Sequence, residues 1–289
     1  MKKALIIGLV ALAVLGAVAA VLVMSPWDEP EKLVWAFPPG ETTDMAKLRE
    51  MFGPIVDATC AKMGVECEMV MATDYAAVME ALRNGTADVA HIGSTMYVLN
   101  RDQFPMRLVT WDVIEGDDHY HAVLIGKPGS FTEPFAMDQL KGKTVAFVTP
   151  TSTSGYIAPL TMMLDAGLTL DNLKSYYFTE NHPAAVEAVL NGQVDVAATG
   201  NTVTRELVRS GEAVEGVDFV TLVESPPLVS DVWAIGPGAD QATSDAIAEA
   251  MLSLPPEAFE GSYLDGFTPV DMAAYEFNVR MLKAAGELK

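Results

Sequence analysis

From Leu33 onward, short apolar runs bounded by turn residues alternate with longer segments whose apolar positions recur every three or four places. The first pattern predicts buried strands and the second predicts amphipathic helices. LVWAF (33–37) reads as a strand, and the turn PPGETT leads into a helix from about Asp44 to Lys62. ECEMVMA follows as a strand; Thr73 or Asp74 then caps the helix YAAVMEALRNG, which stops at Gly85. ADVAHIG, RLVTWDV, HAVLIGK and TVAFVTP continue the strand pattern, with the turn-rich GSFTEPFAMDQLKGK between the last two. Alternation of this kind predicts an α/β fold with parallel pairing. Near the end, AAYEFNVRMLKAAGEL has the period of an amphipathic helix covering the first lobe, its Met, Phe and Tyr residues serving as core.

The chain also repeats part of itself. TDYAAVMEALRNGTADVAHIG (73–93) and ENHPAAVEAVLNGQVDVAATG (180–200) share a polar cap, a helix, an Asn-Gly stop and a strand with Asp-Val-Ala. Two α/β lobes that each use one such unit account for the similarity. Open α/β sheets hold ligands at the carboxyl ends of their strands. The residues at those ends are Ser94 and Thr95 in one unit, and Asn201 and Thr202 in the other.

The densest polar signal is TPTSTSG (149–155), between the strand TVAFVTP and the apolar helix YIAPLTMMLDAG. Thr151, Ser152, Thr153, Ser154 and Gly155 therefore fall at a helix N-terminus. Free backbone N–H groups, the positive end of the helix dipole and several hydroxyls together suit an oxyanion. Gly155 admits a close approach of backbone to ligand. The same letters also suit an ordinary Ser/Thr N-cap. No GxxxxGKS pattern is present, which argues against a nucleotide P-loop.

Charge narrows the partners. With 18 Lys and Arg against 39 Asp and Glu, the formal net charge is -21, which disfavours nucleic acid. Lys2 and Lys3 precede the apolar run Ala4 to Met24, read as a signal peptide or an N-terminal membrane anchor, a transmembrane helix in the second case. Residues 25–32 form a linker, and the folded part lies outside the cytoplasm. In an exported chain Cys60 and Cys67 can pair or remain thiols. Four scattered histidines, at 91, 119, 121 and 182, lack the ligand set of a metal site, and no cofactor motif is found. No GxSxG elbow or supported base accompanies the serines, so catalysis is not indicated.

Taken in order, DYAAVMEALRNGTADVAHIG, HYHAVLIGK, LKGKTVAFVTPTSTSGYIAPLTMMLDAG, AAVEAVLNGQVDVAATGNT and ESPPLVSDVWAI resemble the PhnD-like binding proteins for phosphate, phosphite and phosphonate of ABC importers. The resemblance runs from about Leu33 to Pro269. It implies a two-lobed periplasmic-binding-protein fold of type II: mixed sheets flanked by helices, and a ligand cleft between the lobes. Residues 33–126 and 229–289 would form one lobe and 127–228 the other. It further implies a monomer that carries a small phosphorus oxyanion to a membrane permease. On this reading Ser152, Thr153 and Ser154 hold the ligand oxygens, Tyr75 and Tyr120 wall the cleft, and Asp231 faces the ligand.

Departures from the family pattern also matter. Members that bind an aminoalkyl phosphonate carry a carboxylate after the histidine of the helix-start motif, where this chain has Pro183 after His182. Aromatics often precede the glycine of the third strand, where this chain has His91 and Ile92. Phosphate, phosphite and methylphosphonate stay open as ligands. A small organic anion such as a sulfonate or carboxylate suits the same helix-end donors, and a secreted hydrolase is the remaining rival.

Overall fold

The computed structural model describes residues 32–40 and 42–288. The expected leader Ala4 to Met24 and most of the linker lie outside the described residues. Among the described residues no helix is long and apolar enough to cross a membrane, which corrects the expectation of a transmembrane helix.

Strands β1 (Lys32–Phe37), β2 (Glu66–Met71), β3 (Val89–Ile92) and β4 (Arg107–Val113) belong to the first lobe. The chain then passes through the short β5 (His119–Tyr120) into β6 (Ala122–Gly126), β7 (Thr144–Phe147), β8 (Ser175–Phe178), β9 (Val196–Gly200) and β10 (Val220–Glu224). It returns through β11 (Leu228–Val229) to β12 (Val232–Ile235) and β13 (Gly266–Pro269). The first lobe holds a six-stranded sheet in the order β13-β4-β12-β3-β1-β2, and the second a five-stranded sheet in the order β10-β6-β9-β7-β8. The crossing strands β5 and β11 pair antiparallel between the two. This is the two-lobed, type II periplasmic-binding-protein architecture.

Both sheets are mixed. Parallel pairing holds for β1 with β3 and for β7 with β8 and β9. The strands beside each crossing run the other way: β12 is antiparallel to β3 and β4, and β6 is antiparallel to β9 and β10. A strand entering a sheet directly from a crossing has no helix to turn it around. The same pairing puts β6 in the five-stranded sheet, so that lobe starts before Ala122 and not after Gly126. An apolar run signals a strand but does not say which sheet it joins.

Eight α-helices cover the sheets among the described residues: α1 (Met45–Met63), α2 (Tyr75–Asn84), α3 (Ser94–Asn100), α4 (Ala158–Asp165), α5 (His182–Leu190), α6 (Asn201–Ser210), α7 (Gln241–Leu252) and α8 (Tyr275–Ala284). The two repeated segments fold alike. Asp74 caps α2 by accepting from the Ala77 N–H, and Asn181 caps α5 by accepting from the Ala184 N–H. The strands β3 and β9 follow, and Gly93 just after the first and Gly200 at the end of the second cap α3 and α6. Cys60 and Cys67 form a disulfide across the turn after α1, with Cα atoms 6.1 Å apart.

The last helix does more than cover one lobe. α8 packs on α3 of the first lobe and on α4 of the second. Tyr275 is fully buried and its hydroxyl accepts from the Trp111 indole N–H at 2.8 Å.

Candidate functional site

A cleft between the lobes encloses a cavity of about 50 Å³, room for a few waters or one small oxyanion. The second lobe supplies Thr151, Ser152, Thr153, Ser154 and His182; the first supplies Tyr75, His91, Asp112, Ser230 and Asp231. Tyr120 on the crossing strand, Thr202 in the first turn of α6 and Tyr263, ahead of β13 in the first lobe, complete the polar lining. Among the described residues that line it there is no lysine or arginine. An anion held here meets hydroxyl, imidazole and backbone N–H donors among the described residues.

The hydroxyl segment opens on one turn of π-helix, Thr153–Ile157, continuous with α4. Wide turns of this kind recur at functional positions because they redirect the backbone groups of the first turn. Ser152 is the cap, its Oγ accepting from the Gly155 N–H at 3.1 Å. Ser152, Thr153 and Ser154 are all buried. The three hydroxyls differ in employment. Thr153 Oγ1 donates to Thr95 Oγ1 at 2.9 Å and accepts from the Thr95 N–H at 3.1 Å, tying the second lobe to the first. No hydrogen bond among the described residues uses Ser154 Oγ. It lies beside Gly200, where an added Cβ would sit 3.3 Å from it, 3.2 Å from Thr202 Oγ1 and 3.6 Å from Tyr120 Cε2.

Sequence expectation and geometry part at four residues. Ser94, Thr95, Asn201 and Gly155 are not in the lining. Ser94 Oγ accepts from Asn278 Nδ2 at 2.7 Å and lies 3.2 Å from Thr153 Oγ1, so it braces the hydroxyl segment. Asn201 Oδ1 accepts from the His121 N–H at 3.0 Å, fixing the crossing to the end of β9. Gly155 is required for another reason than the one expected: a Cβ there would lie 2.3 Å from Val148 Cγ2. The close approach that the structure shows is to Val148, just after β7.

Asp112, Ser230 and Tyr263 are polar lining residues that the sequence did not single out, and His182 was noted there without a place in the site. Asp112 at the end of β4 is fully engaged: Oδ2 is 2.6 Å from His91 Nε2, and Oδ1 accepts from Trp233 Nε1 at 2.8 Å. The His91 ring packs 4.8 Å from Trp233 and 4.9 Å from Phe52, centroid to centroid. A charged residue inside the apolar RLVTWDV was the available signal. His182 starts α5, its Nδ1 2.8 Å from Thr199 Oγ1 and its Nε2 3.5 Å from Ser152 Oγ. Its backbone N–H donates to the Gly40 carbonyl at 3.1 Å, a further bond between the lobes.

Two titrating groups are moved by burial. His182 is lowered from 6.5 to about 4, because the imidazolium would lose its water with no anion beside it. It is neutral at pH 7, with one ring nitrogen a donor. Asp231 is raised above the usual carboxylate range, mainly by burial; His91 counteracts this and Asp112 adds to it. Its Oδ1 lies across Gly93 from Thr153: an added Cβ on Gly93 would be 3.5 Å from Asp231 Oδ1 and 3.6 Å from Thr153 Oγ1. The other histidines are used at the crossing, His119 Nδ1 against Asp118 (2.7 Å) and His121 Nδ1 against the Ser225 carbonyl (2.6 Å).

Comparison with known proteins follows the same line. The family described as ABC transporter, phosphonate, periplasmic substrate-binding protein matches residues 41–275. The phosphate-import protein PhnD of Mycolicibacterium smegmatis is 26% identical over 226 residues; the match covers 71% of this chain and 66% of that protein. Among solved structures, PhnD1 of Prochlorococcus marinus in complex with methylphosphonate superposes with a TM-score of 0.76 at 17% identity, over 90% of this chain and all of that one (100%). A binding-protein component of a phosphonate ABC transporter from Pseudomonas aeruginosa gives a TM-score of 0.77 at 16% identity, over 89% of this chain and 87% of the other.

Proposed function

The chain belongs to the periplasmic substrate-binding proteins of phosphonate ABC transporters, a family of non-catalytic carriers that work outside the cytoplasm, and we propose that its cleft captures a small phosphorus oxyanion for delivery to a membrane permease. The observation that carries this reading is the wall of buried hydroxyls at a helix start, facing the half-buried Asp231 carboxyl, in a small cavity whose described lining has no lysine or arginine. Hydroxyls and backbone N–H groups give directed bonds without a net charge, which suits an anion that must also leave.

In this assignment Ser152 and Ser154 bind ligand oxygens, with Thr151 and Thr202 beside them. Thr153 works with Ser94 and Thr95 to hold the lobes together around the ligand. Tyr75 and Tyr120 wall the cleft, Asp231 accepts a proton from a protonated ligand oxygen, and neutral His182 supports the hydroxyl segment. Residues 33–121 with 229–289, and 122–228, are the two bodies that close on the ligand as a monomer.

Thermal melting against a panel tests the ligand class: phosphate, phosphite, methylphosphonate, 2-aminoethylphosphonate, sulfate and an alkanesulfonate. At least one phosphorus oxyanion raises the melting temperature; stabilisation by the sulfur compounds alone would reverse the reading. Lys2, Lys3 and the apolar run after them are proposed to direct export. A mature N-terminus between Ala17 and Glu31, found by mass spectrometry of the natively produced protein, supports that. A full-length chain in the cytoplasm contradicts it.

A further inference from the structure

Ser230 sits between β11 and β12, where the chain re-enters the first lobe beside Asp231. Its backbone is anchored: the N–H donates to the Asp118 carbonyl at 3.1 Å, next to the paired crossing strands. The residue lines the cleft and is only 2% exposed. Yet its Oγ has no hydrogen-bond partner among the described residues. A buried hydroxyl left unpaired is costly, and folded proteins retain few of them. An apolar residue of the same size would avoid that cost. Three other buried polar atoms share this state, Asn201 Nδ2, Thr268 Oγ1 and Asn278 Oδ1, but their residues do not line the cleft.

We infer that Ser230 is a further ligand-positioning residue, whose hydroxyl donates to a ligand oxygen from the first lobe, opposite Ser152 and Ser154. The inference rests on the oxyanion reading above. Asp231 cannot play the donor part while ionised, and Tyr75, His91 and Tyr263 already have interactions. Ser230 therefore gives the first lobe a neutral donor of its own. Because its backbone is fixed at the crossing, that donor keeps its place while the second lobe moves. A tetrahedral oxyanion then presents oxygens to both lobes, and its capture requires both. This tells against ligands whose only oxygens lie on one side, such as a monocarboxylate.

Ser230→Ala removes one oxygen and no bulk. Calorimetric titration of the full chain with phosphate and methylphosphonate, together with melting of the ligand-free protein, reads the two consequences separately. The expected result is affinity reduced by about tenfold to a hundredfold for the ligand that binds wild type best, with an unchanged or higher ligand-free melting temperature. Unchanged affinity overturns the inference, as does a clearly lower ligand-free melting temperature, which would mean the hydroxyl has an internal partner. Ser230→Gly, which removes the Cβ together with the hydroxyl, gives at least the same loss of affinity, and unchanged affinity in it also overturns the inference. If wild type itself bound neither oxyanion, the oxyanion reading would fail first, and the two failures are thereby distinguished.

Discussion

Thr153 Oγ1 donates to Thr95 Oγ1 across the cleft at 2.9 Å. A hydroxyl that the sequence assigns to the ligand is thus committed to holding one lobe against the other. Thr153→Ala is expected to destabilise the ligand-free protein by about 1–2 kcal/mol, since it leaves the buried Thr95 N–H and hydroxyl short of a partner. Ser154→Ala is expected to leave that stability unchanged. Urea unfolding of both variants checks the contrast; equal losses would remove the distinction drawn between these neighbours.

The start of α5 makes the protein acid-sensitive. His182 titrates near 4 when folded and near 6.5 when unfolded, so the unfolded state takes up the proton first. Its contribution is present above pH 6.5 and is lost as the pH falls towards 4. The difference is on the order of 3 kcal/mol. Unfolding free energies at pH 7 and pH 4.5 should converge in His182→Gln by comparison with wild type. Identical pH dependence in both proteins would contradict the burial argument.

Asp231 has the opposite sign. Its folded pKa is raised, so its favourable contribution is complete below the unfolded carboxylate value and is lost as the pH rises through the folded one. Asp231→Asn should therefore melt higher than wild type at neutral pH, with a gap that narrows on acidification. A lower melting temperature at neutral pH would show that the ionised carboxylate has a stabilising partner.

The same cleft ranks ligands. Asp112 is a second acid in the lining, but both of its oxygens are occupied by His91 and Trp233. Among the described lining residues an ammonium group would find only Asp231, and a buried unpaired charge is expensive. The amine of 2-aminoethylphosphonate should bring no gain over methylphosphonate, and Asp231→Asn should weaken the amine-bearing ligand more than phosphate. Dissociation constants at fixed pH and salt decide this. A tenfold preference for the amine-bearing ligand would mean that Asp112 can leave His91.

Much of this was legible in the residues, for a physical reason. Caps, helix stops and strand runs are local, and so the repeated units around Asp74 and Asn181 fold as their letters indicate. The segment Thr151 to Ser154 is also local, because its position at a helix start follows from the strand before it and the helix after it. What the letters did not reveal depends on contacts between distant segments. Gly155 faces Val148 and not the cleft, β6 joins the second sheet through β9, and Thr153 meets Thr95 only once the lobes are side by side. Asp112 and Ser230 enter the cleft because β4 and β12 are neighbours, a pairing of segments more than a hundred residues apart.

Isothermal titration of wild type, Ser152→Ala and Ser154→Ala with phosphate, phosphite and methylphosphonate tests the central claim most directly. Wild type is expected to bind at least one of these one-to-one, and each variant to lose roughly 1.5–3 kcal/mol as a charge-assisted hydrogen bond is removed. Binding that is unchanged in both variants, or wild-type affinity confined to sulfate and sulfonates, would contradict it.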